Sequence, residues 1–211
     1  MQIKNASVLA ASAVLSAALV SSAMVAPAGA SKPHEGNRSL AKVLAADGNR
    51  FDKNPGDFDV LEKAVVAVLK EKPDSAVKVL TQGKKRLTAF LPTDRAFRVL
   101  VKDLTGSKPK SEKATFNKLA AAAGVDAIET VLLYHVVPGA TITKKQALGA
   151  DGAELGTAQG GSVTVEVKGK KVKLIDADPD DRNARIVAFD INKGNKQIGH
   201  AVKNVLRPFD L

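Results

Sequence analysis

Few side chains in this 211-residue chain have the chemistry of a nucleophile, a base or a soft metal ligand. It has no cysteine, a single tyrosine at Tyr134, and three histidines at His34, His135 and His200. Without cysteine there is no disulfide, no thiol catalysis and no thiolate metal ligand. His34 falls in a polar leader, and two histidines are too few for a dedicated zinc site unless carboxylates join them. Gly106-Ser107 and Gly161-Ser162 do not form a Gly-x-Ser-x-Gly elbow, and no phosphate-cradling glycine fingerprint occurs. Asp176, Asp178, Asp180 and Asp181 offer oxygen ligands at an alternating spacing that suits calcium. That run lacks the turn glycine and distal glutamate of a calcium loop, and Pro179 interrupts it. The sequence therefore assigns no catalytic residue, no cofactor and no metal ligand.

Tyr134 and His135 are adjacent at the end of a helix-like segment. Asp126 and Glu129 resemble a capping box opening that helix, which carries Ile128, Val131, Leu132 and Tyr134. The β-branched Val136-Val137 and the turn signal Pro138-Gly139 end it near His135. Two readings of the pair remain open. Tyr134 and His135 form a partner-binding spot at a helix end, or Tyr134 is a core ring and His135 a hydrogen-bonded pin.

Two further runs frame that pair. In Ala89-Phe90-Leu91-Pro92-Thr93-Asp94-Arg95-Ala96-Phe97, a strand-like stretch stops at Pro92. Thr93 is placed to cap a helix through its hydroxyl, and Asp94 to sit at the positive helix end. Phe97, Leu100, Val101 and Leu104 follow at helical spacing. In Ile198-Gly199-His200-Ala201-Val202-Lys203 the period is two, which predicts a strand ended by Pro208, with His200 on its apolar register.

The remaining elements follow from pattern. Leu40, Val43 and Leu44 suggest a short helix, and residues 47–57, rich in Gly, Asn, Asp and Pro, read as a loop. A helix opens at Asp59-Val60-Leu61-Glu62, with Leu61, Val65, Val68 and Leu69 on one face. Ala76–Leu80 is ambiguous between helix and strand. Phe116, Leu119, Ala120 and Ala123 mark another helix, and 143–148 one helical turn. After Gly149 strands dominate: 163–167 and 172–175 flank the hairpin signal Gly169-Lys170, and 184–191 follows. Helices in the first half packed on a β-rich second half make the chain α+β.

The three runs, in this order and spacing, resemble the two signature boxes and the central Tyr-His motif of the fasciclin domain. The resemblance spans about Ser39 to Pro208. It assigns Phe90, Pro92, Thr93, Asp94, Ala96 and Phe97 to the first box and Tyr134 and His135 to the central motif. Ile198, His200, Val202, Val205, Leu206 and Pro208 fall in the second box. It implies a central histidine that hydrogen-bonds toward the first box and stabilises the fold, with adhesion implicated around the Tyr-His pair in animal members. Gly194-Asn195-Lys196-Gln197 departs from the family pattern, with extra polar residues and a glycine before His200. Lys203 replaces a frequent aspartate and removes any salt bridge made there.

The N-terminus has Lys4 and then an Ala/Val/Leu/Ser stretch from Ala6 to about Ala26. It reads as a secretory signal, cut after Ala30 or else Ala28, with an uncleaved anchor as the alternative. The expected organisation is a signal peptide over 1–30, a disordered polar leader over 31–38 and one fasciclin-like domain over 39–211. The C-terminus carries neither an apolar tail nor a sorting run. The expected product is a secreted monomer, without a membrane span after processing and at most loosely held at the cell wall.

There are 32 Lys+Arg against 22 Asp+Glu, and loss of Lys4 with the signal leaves a net charge of +9. Such a field favours anionic partners, although the lysines are scattered as on a solvated surface. The few aromatics occupy apolar periodic positions, so nucleic acid is not an expected partner. The expected function is non-enzymatic interaction or adhesion with a protein or polysaccharide at a cell surface, matrix or envelope. The alternative is an envelope carrier of a small lipid or glycan.

Overall fold

The structure, a computed structural model, describes residues 35–48 and 50–210. The expected signal peptide, its cleavage sites, its anchor alternative and His34 lie outside the described residues. Helices and one mixed sheet build the fold. Helices α1 (Leu40–Leu44), α2 (Asp59–Glu71), α3 (Asp94–Thr105) and α4 (Glu112–Tyr134), with 3₁₀ turns at Ala45–Asp47 and Ala76–Thr81, come mostly before the strands. After them come α5 (Lys144–Leu148) and most of a seven-stranded sheet.

The strands are β1 (Leu87–Pro92), β2 (Val136–Pro138), β3 (Glu154–Gly156), β4 (Ser162–Lys168), β5 (Lys171–Ile175), β6 (Ala184–Ile191) and β7 (Gln197–Val202). They lie in the order β2-β1-β7-β6-β5-β4-β3. The α+β expectation holds, with one refinement: β1, from the helical half, pairs in parallel with β7 and joins the halves. All six residues of β1 and all six of β7 are buried. The period-two exposure expected for the third run is absent because this strand pair is covered on both faces. That strand also ends at Val202, well before Pro208.

Amphipathic spacing produced the helices as expected. Phe97, Leu100 and Val101 of α3 and Leu61, Val65 and Val68 of α2 enter one core with Ile128, Val131 and Leu132 of α4. Gly124 interrupts α4 at φ 73, ψ 169, a left-handed-side backbone that glycine adopts without a Cβ clash. The expected capping box at Asp126 and Glu129 does not form. Both carboxylates turn instead to Lys72 Nζ beyond the end of α2, at 2.6 Å in the case of Asp126.

The expected disordered leader does not extend through 35–38. Gly36 N–H donates to Gly194 O at 2.8 Å, and Arg38 N–H to Asn195 Oδ1 at 2.9 Å. The polar residues that depart from the family pattern thus tie down the start of the domain. Gln197 is fully buried, receives Leu40 N–H at 2.8 Å and donates to Val79 O and Gln82 O. Gly199 stands in mid-strand, where a Cβ would come within 2.6 Å of Leu91 Cδ1, so the small residue lets Leu91 and Leu40 close over the sheet.

Candidate functional site

Tyr134 ends α4, and its ring lies in the strand-side core with Phe90, Val137, Val163 and Leu206. It is 1% exposed, and its hydroxyl donates to Ser162 O at 2.6 Å. His135 is 3% exposed. Both ring nitrogens are occupied: Nδ1 lies 2.7 Å from Val131 O, and Nε2 receives Leu206 N–H at 2.9 Å. These partners define a neutral imidazole with its proton on Nδ1. Burial drives its pKa down to about 4, with the Val131 bond opposing the shift.

The expectation of a partner-binding spot at Tyr134 and His135 is therefore corrected, because neither side chain reaches the surface. The ring also points elsewhere than the resemblance implied. The His135 side chain holds the second box through Leu206, while its backbone O takes Phe90 N–H of the first box at 2.9 Å.

His200 is fully buried on β7. Its Nε2 lies 2.8 Å from Ile142 O, and Nδ1 receives Asp190 N–H at 3.2 Å. The ring is set between Phe90 at 6.2 Å and Phe189 at 5.4 Å, and burial lowers its pKa. Thr93 is the N-cap of α3, but its hydroxyl makes no capping bond; its backbone O accepts from Ala96 and Phe97 N–H instead. Asp94 is fully buried, and its Oδ1 accepts Val60 N–H at 2.9 Å, so it caps α2 rather than its own helix. Pro92 closes β1, and Phe97 is a core residue.

His135 also positions a surface feature. The residue after its Leu206 partner is Arg207, whose side chain is 7% exposed. Its guanidinium meets Asp103 Oδ2 at 3.0 Å, Asp178 Oδ2 at 3.4 Å and Asp181 Oδ2 at 3.0 Å, and the Arg207 backbone N–H donates to Asp176 Oδ2 at 3.0 Å. The aspartate run 176–181 is therefore organised by an arginine.

This network floors a groove of about 670 Å³ between α3 and the 178–182 loop. Its lining carries Arg95, Arg98, Lys102, Lys108 and Arg182 beside Arg207, against five carboxylates, those of Asp103, Asp178, Asp180, Asp181 and Asp210. Sequence reading missed this cationic wall, although Arg95, Arg98 and Lys102 stand at i, i+3, i+7 and a charge stripe was there to be seen. The two apolar cavities described, one between α3 and α4 and one beside Phe90 and His200, hold about 20 Å³ each. That is room for one water, not for a lipid chain.

Comparison with known proteins adds a family and a fold. The Fasciclin domain profile matches residues 63–208. Among solved structures the chain is similar to the FAS1 domain pair of the insect cell adhesion molecule Fasciclin I. The TM-score is 0.51 at 16% identity, covering 74% of this chain and 48% of that one. The chain thus spans about half the length of that domain pair, and the likeness is one of fold. No curated protein sequence matches the chain.

Proposed function

The chain belongs to the fasciclin-domain family, and on that premise we propose that it is a secreted, non-enzymatic interaction module whose α3 groove takes an anionic cell-surface or envelope partner. The observation that carries this reading is the cationic wall. Arg207 is taken up by Asp103, Asp178 and Asp181 on the groove floor, whereas Arg95, Lys102, Lys108 and Arg182 are exposed around it and outnumber the exposed Asp103, Asp180 and Asp210. Exposed like charges lining a concave surface raise the local concentration of acidic polymers and speed their association. Among the described residues, no helix is long and apolar enough to cross a membrane. His135 and His200 have their ring nitrogens engaged by backbone groups, which supports a structural rather than a chemical role for both. Neither of the two apolar cavities described, at about 20 Å³ each, is large enough to favour the lipid-carrier alternative.

The test is capture of anionic polysaccharides and envelope proteins by the purified protein, washed at about 0.15 M and then about 1 M salt, a range that strongly screens exposed charge. Wild type should retain its partner at the lower salt, and Lys102→Glu with Arg182→Glu should release it. Equal capture by the double variant would remove the groove from the reading.

A further inference from the structure

Three long helices begin at one place, and each begins with an acid: Asp59 in α2, Asp94 in α3 and Glu112 in α4. All three are buried, at 2%, 0% and 1% exposure. One carboxylate oxygen from each lies within 4.8 Å of the other two. The loop before α2 adds Asp52 and Asp57, whose oxygens form a second set within 4.8 Å that shares Asp59.

Part of this clustering has a local explanation. Helix N-termini favour carboxylates, and the elements cap one another. Asp94 Oδ1 takes Val60 N–H, Asp59 Oδ2 takes Asp52 N–H at 3.2 Å, and the carbonyls of Pro55 and Asp57 take the first two N–H groups of α3.

Capping does not account for the other oxygens. Asp94 Oδ2 and both Glu112 oxygens are sealed from solvent with no hydrogen bond of ordinary geometry. Asp94 also faces the Asp57 carboxyl, and Glu112 faces the charges of Asp52, Asp57 and Asp59, the Asp52 N–H already used by Asp59, and Arg98, with which it makes a long ion pair at 4.0 Å that is no hydrogen bond. Buried carboxylate oxygens turned toward one another need a proton or a cation between them.

We propose that Asp52, Asp57, Asp59, Asp94 and Glu112 form a binding site for a divalent cation of the calcium class, which clamps the 52–59 loop to the start of all three helices. The geometry suits that ion. Calcium–oxygen distances of about 2.3–2.6 Å place ligand oxygens around one ion up to roughly 4.6–5.2 Å apart. The donors are all oxygen, without the imidazole or thiolate that selects zinc or copper. Ligands drawn from a loop and three helix ends fit the irregular, high coordination of calcium better than the strict octahedron of magnesium.

The experiment compares chelator-treated wild type with Glu112→Gln, Asp52→Asn and, as a control in the other acidic loop, Asp180→Asn. Calorimetric titration with CaCl2 should show one calcium per wild-type chain, and about 5 mM CaCl2 should raise Tm by several degrees over EDTA. Glu112→Gln should melt at or above wild type in EDTA, where a charge buried among other carboxylates is relieved, and below it in CaCl2. Asp52 is exposed, so Asp52→Asn should fold normally and weaken calcium at least tenfold, while Asp180→Asn binds like wild type. The proposal is overturned by any of three results: no heat and no Tm shift with CaCl2, a Glu112→Gln that equals or exceeds wild type in both conditions, or an equal response to MgCl2. A response kept by Asp52→Asn and Glu112→Gln but lost in Asp180→Asn would also overturn it.

Discussion

Two acidic loops of this molecule invite the same reading and have opposite electrostatics. In the 176–181 loop the cation is built in: Arg207 reaches back and meets Asp178 and Asp181, while its backbone N–H meets Asp176. In the 52–59 loop the carboxylates converge with Asp94 and Glu112, and buried oxygens are left facing one another. Acidic spacing alone did not distinguish them. What differs is whether a distant part of the chain delivers a positive group, so a run of aspartates is a statement about ligands only once its neighbours are known.

The most damaging way to break the contrast is to remove the built-in cation. Arg207→Met should leave the nearly buried Asp178 carboxylate uncompensated and cost about 3–5 kcal/mol in urea unfolding. A loss under about 1 kcal/mol would mean that water, not Arg207, balances that loop.

His135 tests the same region from behind, because it holds Leu206 and so aims Arg207. Its folded pKa of about 4 lies below the ordinary 6.5. A depressed histidine favours the neutral form, so its contribution is full above pH 6.5 and is lost as pH falls from 6.5 through about 4. The loss is on the order of 3 kcal/mol. Unfolding curves across that window should show it for wild type, and His135→Gln should flatten it.

The 52–59 side should titrate with the other sign. Burial, then the facing Asp57 carboxyl and the Glu112 charge, push Asp94 up to about 8 against the bond from Val60. A raised carboxyl gives stability that is full below its unfolded value of 3.8 and lost as pH rises through about 8. In EDTA, Tm should therefore climb as pH falls from about 9 to 6.5, before His135 begins to protonate. CaCl2 should blunt that climb, and a climb that ignores calcium would separate the carboxylates from any ion.

The smallest effect is expected where both loops meet solvent. Asp180→Asn, at an exposed position, should change stability by no more than about 0.5 kcal/mol. A larger loss would show that the arginine network extends past Asp178 and Asp181.

The amphipathic faces of α2 and α3, the 168–171 hairpin and the strand at 184–191 were legible because each is a local periodicity or turn signal. Strands β2 and β3, three residues each, were not, since pieces that short acquire strand character only from their partners β1 and β4. At the candidate site, Tyr134, His135, His200 and Asp94 stood out by type and motif, yet their roles did not. Local pattern left open whether Tyr134 and His135 were a core pair or an exposed helix end. They are interior because β1 and the 205–207 segment close over them.

By itself the sequence determined the family, the α+β class and the positions of most elements, because these depend on side-chain spacing along a few turns of chain. It also displayed every charged residue of the groove and of both acidic loops. Only the tertiary structure decided which charges meet. Asp59, Asp94 and Glu112 are brought together by the convergence of three helix N-termini, and Arg207 is placed over 176–181 by the strand and histidine that precede it. Electrostatic energy depends on separation and burial in space, and neither is encoded in the distance between residues along the chain.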